Sequence, residues 1–144
     1  AGSEKKYSFC IPPKKETNQV AVYEACIDAL AHMTLEEGKQ DKYRLSLGGI
    51  AAPKENAQMQ SERFKKPPDA LEAFLKKHPE IREIEICTDN DFAGRWAKEQ
   101  MKKHYEGRYK IICNLPEREG ADYADLAKEK KQTMKCRDRP LESR

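Results

Sequence analysis

The chain has 144 residues, the length of one ordinary domain, with 37% charged and 38% hydrophobic residues and a mean hydropathy of −0.98. That balance leaves room only for a small core with heavily solvated faces, and no apolar stretch approaches the ~20 residues that span a bilayer, so no membrane partner is expected. The formal net charge of +3 permits a polyanionic partner without arguing for one.

Residues 1–18 are polar, broken by Pro12-Pro13, and read as an extended arm. The opening Ala1-Gly2-Ser3-Glu4-Lys5-Lys6 lacks a signal peptide's apolar segment, and the missing initiator Met suggests a processed piece of something longer. Gln19-Val20-Ala21-Val22-Tyr23 is a short β-rich run. It leads into Cys26, Ala29, Leu30 and Met33, spaced as one helix face, and Gly38 ends that helix. Tyr43 to Leu47 forms a second strand, stopped by Gly48-Gly49; the stretch from Ile50 to Pro68 has no clear assignment. Asp69-Ala70-Leu71-Glu72 has the form of a capping box with Asp69 as N-cap. The helix it opens presents Leu71, Phe74, Leu75 and His78 on one side and closes at Pro79.

Ile84 to Thr88 is a third strand, and a helix from about Phe92 to Tyr105 turns Ala93, Trp96, Ala97, Met101 and Tyr105 inward. Tyr109 to Cys113 is a fourth strand and Asp122 to Lys130 a last helix. Beyond Lys131 the tail is polar and is expected to be flexible. Strands alternate with helices, which predicts an α/β fold of roughly four mostly parallel strands covered on both faces. Five cysteines, at 10, 26, 87, 113 and 136, have no zinc or redox spacing. Cys26, Cys87 and Cys113 sit in apolar runs and are expected as buried thiols in a reducing, cytoplasmic setting.

Each notable acid follows a strand: Glu24 after the first, Asp89 and Asp91 after the third, Asp122 after the fourth and a loop. In a parallel α/β sheet those positions share the carboxyl edge, where such folds place ligands. Crowded carboxylates repel and raise one another's pKa unless a cation lies between them; a hard divalent ion such as magnesium takes carboxylate and phosphate oxygens. Asp28, one helical turn beyond Glu24, can orient a metal-bound water. Helix capping is the plainer account of each acid singly, for Asp91 and Asp122 above all, and Glu24 would suit a helix dipole. Arg95, Lys98, Lys102 and Lys103 read as a solvated helix face, with Lys65-Lys66 and Lys76-Lys77 adding charge, although Arg95 stands near enough to the acidic turn to reach a phosphate. His32, His78 and His104 lie on separate helices with no paired spacing, which argues against histidine ligation of a metal; Trp96 and Tyr105 fit a core stripe better than a base-stacking platform.

Four pieces in one order carry a likeness: Val20-Ala-Val-Tyr-Glu24-Ala-Cys-Ile-Asp28-Ala-Leu, Ser46-Leu-Gly-Gly49, Thr88-Asp-Asn-Asp91-Phe-Ala-Gly94, and Pro116 followed by Gly120-Ala-Asp122-Tyr-Ala-Asp125-Leu. Together they resemble the Toprim domain of bacterial-type primases, type IA and type II topoisomerases, OLD-family nucleases and RNase M5-like enzymes. The Asp-Asn-Asp-Phe-Ala-Gly form is most similar to the primase branch and to Toprim proteins of conjugative plasmids and transposons.

The resemblance implies a compact Rossmann-like Toprim fold over residues 19–130. It implies Glu24 as general acid/base, and Asp89 and Asp91, with Glu24, as ligands of Mg2+, for which Mn2+ may substitute. Asp28 and Asp122 match further acids of the primase branch; Arg95 and Lys98 would face phosphate or nucleic acid. The implied function is nucleotidyl transfer or phosphodiester chemistry on DNA, with RNA or nucleotides as other partners and further domains of a longer mobile-element protein. The rivals are a nuclease using the same acids with water as nucleophile, and a non-catalytic metal- and partner-binding module of a DNA-mobilisation complex. Ala25 stands where Gly is usual after the catalytic Glu, and Ala121 where a Lys is common. The zinc-binding module and basic N-terminal portion of primases, and the catalytic-Tyr domain of topoisomerases, are not recognisable in the chain.

Overall fold

A computed structural model describes residues 9–48 and 68–137, with side chains to residue 132. Gly49, the stretch assigned to no element before Pro68, Lys65-Lys66 and the side chain of Cys136 fall outside the described residues. The order along the chain is β1 (Cys10–Ile11), β2 (Gln19–Tyr23), α1 (Cys26–Leu35), β3 (Tyr43–Ser46), α2 (Asp69–Lys77), β4 (Glu83–Ile86), α3 (Phe92–Tyr105), β5 (Lys110–Cys113) and α4 (Tyr123–Arg137). The strands form one five-stranded sheet in the order β1-β3-β2-β4-β5, parallel except for β1, which pairs antiparallel with β3.

The mostly parallel sheet is as expected; the fifth strand comes from the polar arm, where Cys10 and Ile11 pair with Leu45 and Arg44 and cover the β3 edge. The last helix continues past Lys130 to Arg137. Asp69 lies one residue inside α2, with Pro68 at the N-cap and no side-chain cap, so the expected capping box does not form.

Alternation sorts the strands onto two faces. Val20, Val22, Leu45, Ile84 and Ile86 join Leu71, Phe74, Trp96, Met101 and Tyr105 in the larger cluster, beneath α2 and α3. Ala21, Tyr23 and Cys87 join Ala29 and Tyr123 in the smaller one, beneath α1 and α4. The periodicity of α3 is close to the expected one, with Gly94 rather than Ala93 among the buried residues.

The face of α1 is not the expected one. Asp28, Ala29 and His32 are turned inward, while Cys26, Ile27 and Leu30 are exposed. Hydrogen bonds compensate polar atoms on this side, where apolar spacing alone would favour Leu30. Of the three cysteines expected as buried thiols, only Cys87 is enclosed; Cys26 lies on the outer side of α1 and Cys113 on the edge strand β5.

The inward polar groups build a charged layer across the middle of the α1/α4 face. The register places Ala21 opposite Arg44 on one side and Glu85 on the other, so two charges flank a methyl group. Lys42 Nζ donates to Glu85 Oε1 at 2.7 Å, and Asn114 Nδ2 donates to Glu85 Oε2 at 2.7 Å. Arg44, fully buried, lies 2.7 Å from Glu36 Oε1 and donates to the Tyr23 hydroxyl at 3.0 Å. That hydroxyl lies 2.6 Å from His32 Nδ1.

Candidate metal centre

From β2 the chain crosses to β3 on one side, while β4 lies on the other side of β2 and leads on to β5. The carboxyl ends of β2 and β4 therefore flank a topological switch point, where the connections diverge and leave a crevice. Glu24 leaves β2 at that crevice, and Asp89 and Asp91 leave β4 beside it. Asp28 comes from the first turn of α1, 3% exposed, and Asp122 from the loop entering α4.

Oxygens of Asp28, Asp89 and Asp122 lie within 4.8 Å of one another. Glu24 adjoins them, its Oε1 3.3 Å from the Asp89 backbone N–H. Of the acids named from sequence, the structure thus groups Asp28, Asp89 and Asp122 most tightly, with Glu24 alongside. Asp91 is outside that group of three: its Oδ1 caps α3 by accepting from Gly94 N at 2.8 Å, while its charge still acts on Glu24. Asp122 also serves as a cap. Its Oδ1 accepts from Asp125 N at 2.7 Å, and Asp125 Oδ2 accepts from Asp122 N at 3.2 Å, a reciprocal arrangement. Capping and convergence on the crevice are therefore not alternatives. A cap uses one carboxylate oxygen and leaves the other able to accept.

Local packing holds the acidic turn. A Cβ on Gly94 would come 1.9 Å from the Asp89 carbonyl oxygen, so only glycine lets α3 begin this close beneath the turn. The Thr88 hydroxyl donates to Gly94 O at 2.8 Å and fastens the same approach.

The electrostatics are those of charges without a counter-charge. Burial raises the Asp89 carboxyl to about 8, with the charges of Glu24 and Asp28 adding to the shift. Glu24 is raised by burial, offset in part by the Asp89 N–H, with Asp91 and Asp28 contributing repulsion. Asp28 is raised by burial and then by the charge of Asp122. Asp89 Oδ1 is buried and has no hydrogen-bond partner. Carboxylates this close are held together by a shared proton or by a cation.

The residues fit a hard divalent ion: the donors are carboxylate oxygens, they converge from three stretches of chain, and one of them, Asp89 Oδ1, is buried without a hydrogen-bond partner. A second grouping, His32, Glu85 and Cys87, also brings possible ligand atoms within 4.8 Å. It belongs to the charged layer described above. Burial would raise the Glu85 carboxyl, but hydrogen bonds from Lys42 and Asn114 overcome this and hold it below the ordinary range. Lys42 already supplies the cation there.

Arg95 and Lys98, expected near phosphate, lie on the first half of α3. Arg95 Nη1 donates to Asn90 Oδ1 at 3.1 Å and its Nη2 lies 3.8 Å from Glu119; Lys98 pairs with Glu99 at 3.2 Å. Two features escaped the sequence reading. One is the charged layer, for which the signal was a charged residue in the middle of each of two strands, Tyr43-Arg44-Leu45 and Ile84-Glu85-Ile86. The other is Asn90, read only as the spacer between two acids.

The sheet order, the switch point and the convergent carboxylates define a class: an α/β domain whose carboxyl sheet edge carries a group of acids that could hold a divalent cation. Residues 21–127 match the family model described as Toprim-like, and the chain belongs to that family. Its function is accordingly metal-dependent and related to nucleic acid. No curated protein matches the chain significantly. Among the described residues, no helix is long and apolar enough to cross a membrane.

Proposed function

We propose that this is the metal-binding catalytic domain of a primase-like Toprim protein, of the kind carried by conjugative plasmids and transposons, acting on DNA by nucleotidyl transfer. The observation that carries the reading is the group of mutually repelling carboxylates at the switch point, with Asp89 Oδ1 buried and unpartnered. The Asp-Asn-Asp-Phe-Ala-Gly turn supports the primase branch within the family.

Asp28, Asp89 and Asp122 would hold magnesium, with the uncapped oxygen of Asp91 free to join them. Magnesium bound there supplies positive charge to a phosphate oxygen of the reacting group. Glu24 moves the proton of the attacking or leaving hydroxyl. Its position suits that task, because its Oε1 lies 3.3 Å from the Asp89 backbone N, beside the acids that would hold the ion. Arg95 and Lys98, on the first half of α3, would serve as contacts for the phosphate backbone, for which Arg95 would exchange Glu119 while keeping its bond to Asn90.

The test is turnover on labelled DNA with Mg2+ or Mn2+, with and without nucleotides, by the protein and by Glu24→Gln. The expected result is nucleotide-dependent extension, reduced about 100- to 10,000-fold in Glu24→Gln while Mn2+ binding persists. Unchanged turnover in Glu24→Gln overturns the role of Glu24. Cleavage without nucleotides would move the protein to the nuclease branch. Metal binding without turnover would make it a partner-binding module.

A further inference from the structure

The acids of the metal centre come from separate stretches of chain, and something must hold the turn bearing Asp89 against the loop bearing Asp122. Asn90 makes most of that connection. Asn90 N donates to Ala121 O at 2.9 Å, and Gly120 N donates back to Asn90 O. Its side chain reaches the same loop further upstream, Nδ2 donating to Glu117 O at 3.1 Å. The remaining atom of the amide, Oδ1, accepts from Arg95, whose guanidinium also approaches Glu119. Gly120, at φ +81°, bends the loop so that its backbone can meet Asn90, and Asp122 follows two residues on.

The first two bonds are main-chain and independent of the side chain; the other two use the donor and the acceptor of a single planar amide together. Aspartate has no donor for Glu117 O and would add another negative charge between two acids; serine and alanine lack the reach. The inference rests on the divalent-cation reading of the centre. We propose that Asn90, oriented by Arg95, is a positioning residue that sets Asp122 against Asp89 and so determines the affinity of the centre for a divalent cation.

The measurement is Mn2+ affinity, from the electron paramagnetic resonance signal of the free ion, for the wild type, Asn90→Ala, Asp122→Asn and the double variant. Residues that orient metal ligands typically contribute 10- to 100-fold in affinity, and Asn90→Ala is expected to weaken Mn2+ by about that factor. If Asn90 acts through Asp122, the same substitution made in Asp122→Asn costs almost nothing further, since the two effects are not additive. A merely structural role would give the same loss in both backgrounds, and that result, or wild-type affinity in Asn90→Ala, overturns the proposal. Should Asn90→Ala fail to fold, Arg95→Ala takes its place in the same cycle, with a several-fold loss expected that vanishes beside Asp122→Asn; equal losses in both backgrounds overturn it. A wild-type protein that binds no Mn2+ overturns the reading of the centre itself, and the proposal with it, an outcome distinct from normal wild-type binding with an indifferent Asn90.

Discussion

Two groups of charges lie along the same sheet, and they are handled in opposite ways. In the buried layer, Glu85 meets Lys42, and Glu36 meets both Lys42 and Arg44. Burial there is outweighed by pairing, so the Glu85 and Glu36 carboxyls stay below their ordinary range and Lys42 above its own. At the carboxyl edge a few residues away, Glu24, Asp28 and Asp89 face one another and Asp122, and burial and repulsion push all three upward. The first group is neutralised from within. The second is left unbalanced, as suits the proposed centre, where the counter-charge would come from a bound ion.

The comparison is broken most severely by removing the internal counter-charge. Lys42→Met leaves Glu85 buried and unpaired and is expected to lower stability by about 3–5 kcal/mol in urea denaturation. Adding Glu85→Gln should recover much of that loss, whereas Asp89→Asn, measured in chelator, should lower stability little or not at all. The next effect is cation linkage. At a hundredfold excess of Mg2+ over its dissociation constant, the wild type should gain about 2.7 kcal/mol and Asp89→Asn nothing; equal gains in both would remove Asp89 from the site.

The smallest effect concerns pH. Asp89 is raised to about 8 from an unfolded value near ~3.9, so between those pH values the folded chain binds more protons than the unfolded one. Its contribution to stability is therefore fully present below about pH 4 and lost as pH rises through about 8. Since the side chain is partly open to solvent, the change should be about 1 kcal/mol in metal-free protein. Saturating Mg2+ should remove the fall, because the ion takes the place of the proton. Thermal unfolding across pH 4–9, with and without Mg2+, checks this; a metal-free profile that rises over the range would contradict the raised carboxyl.

Much of the fold was legible because its signals are local. β2 at Gln19–Tyr23 and α3 at Phe92–Tyr105 lie where alternation and helical periodicity put them, and β4 and β5 are displaced by at most two residues from the expected ends. The acids were legible for the same reason: each follows a strand, and strand exits share an edge in any parallel sheet. Misreadings arose where local pattern competes with distant partners. Cys26 and Leu30 have the spacing of a buried face, yet α1 turns Asp28 and His32 inward, because a helix orients toward whatever compensates its polar atoms. The hydroxyl for His32 comes from β2, and the Arg44 that fixes that hydroxyl comes from β3.

The sequence alone determined the kinds and order of the elements from β2 onward and the set of carboxylates available at the edge, since propensity, periodicity and strand exits are written within a few residues. Tertiary structure decided which carboxylates meet. It drew Asp28 and Asp122 in beside Asp89, left Asp91 capping α3, and made Asn90 a link between turn and loop. It also supplied Arg44 and Glu85 with their counter-charges. Those outcomes depend on strand order and on backbone atoms brought together from distant parts of the chain, and neither periodicity nor composition encodes them.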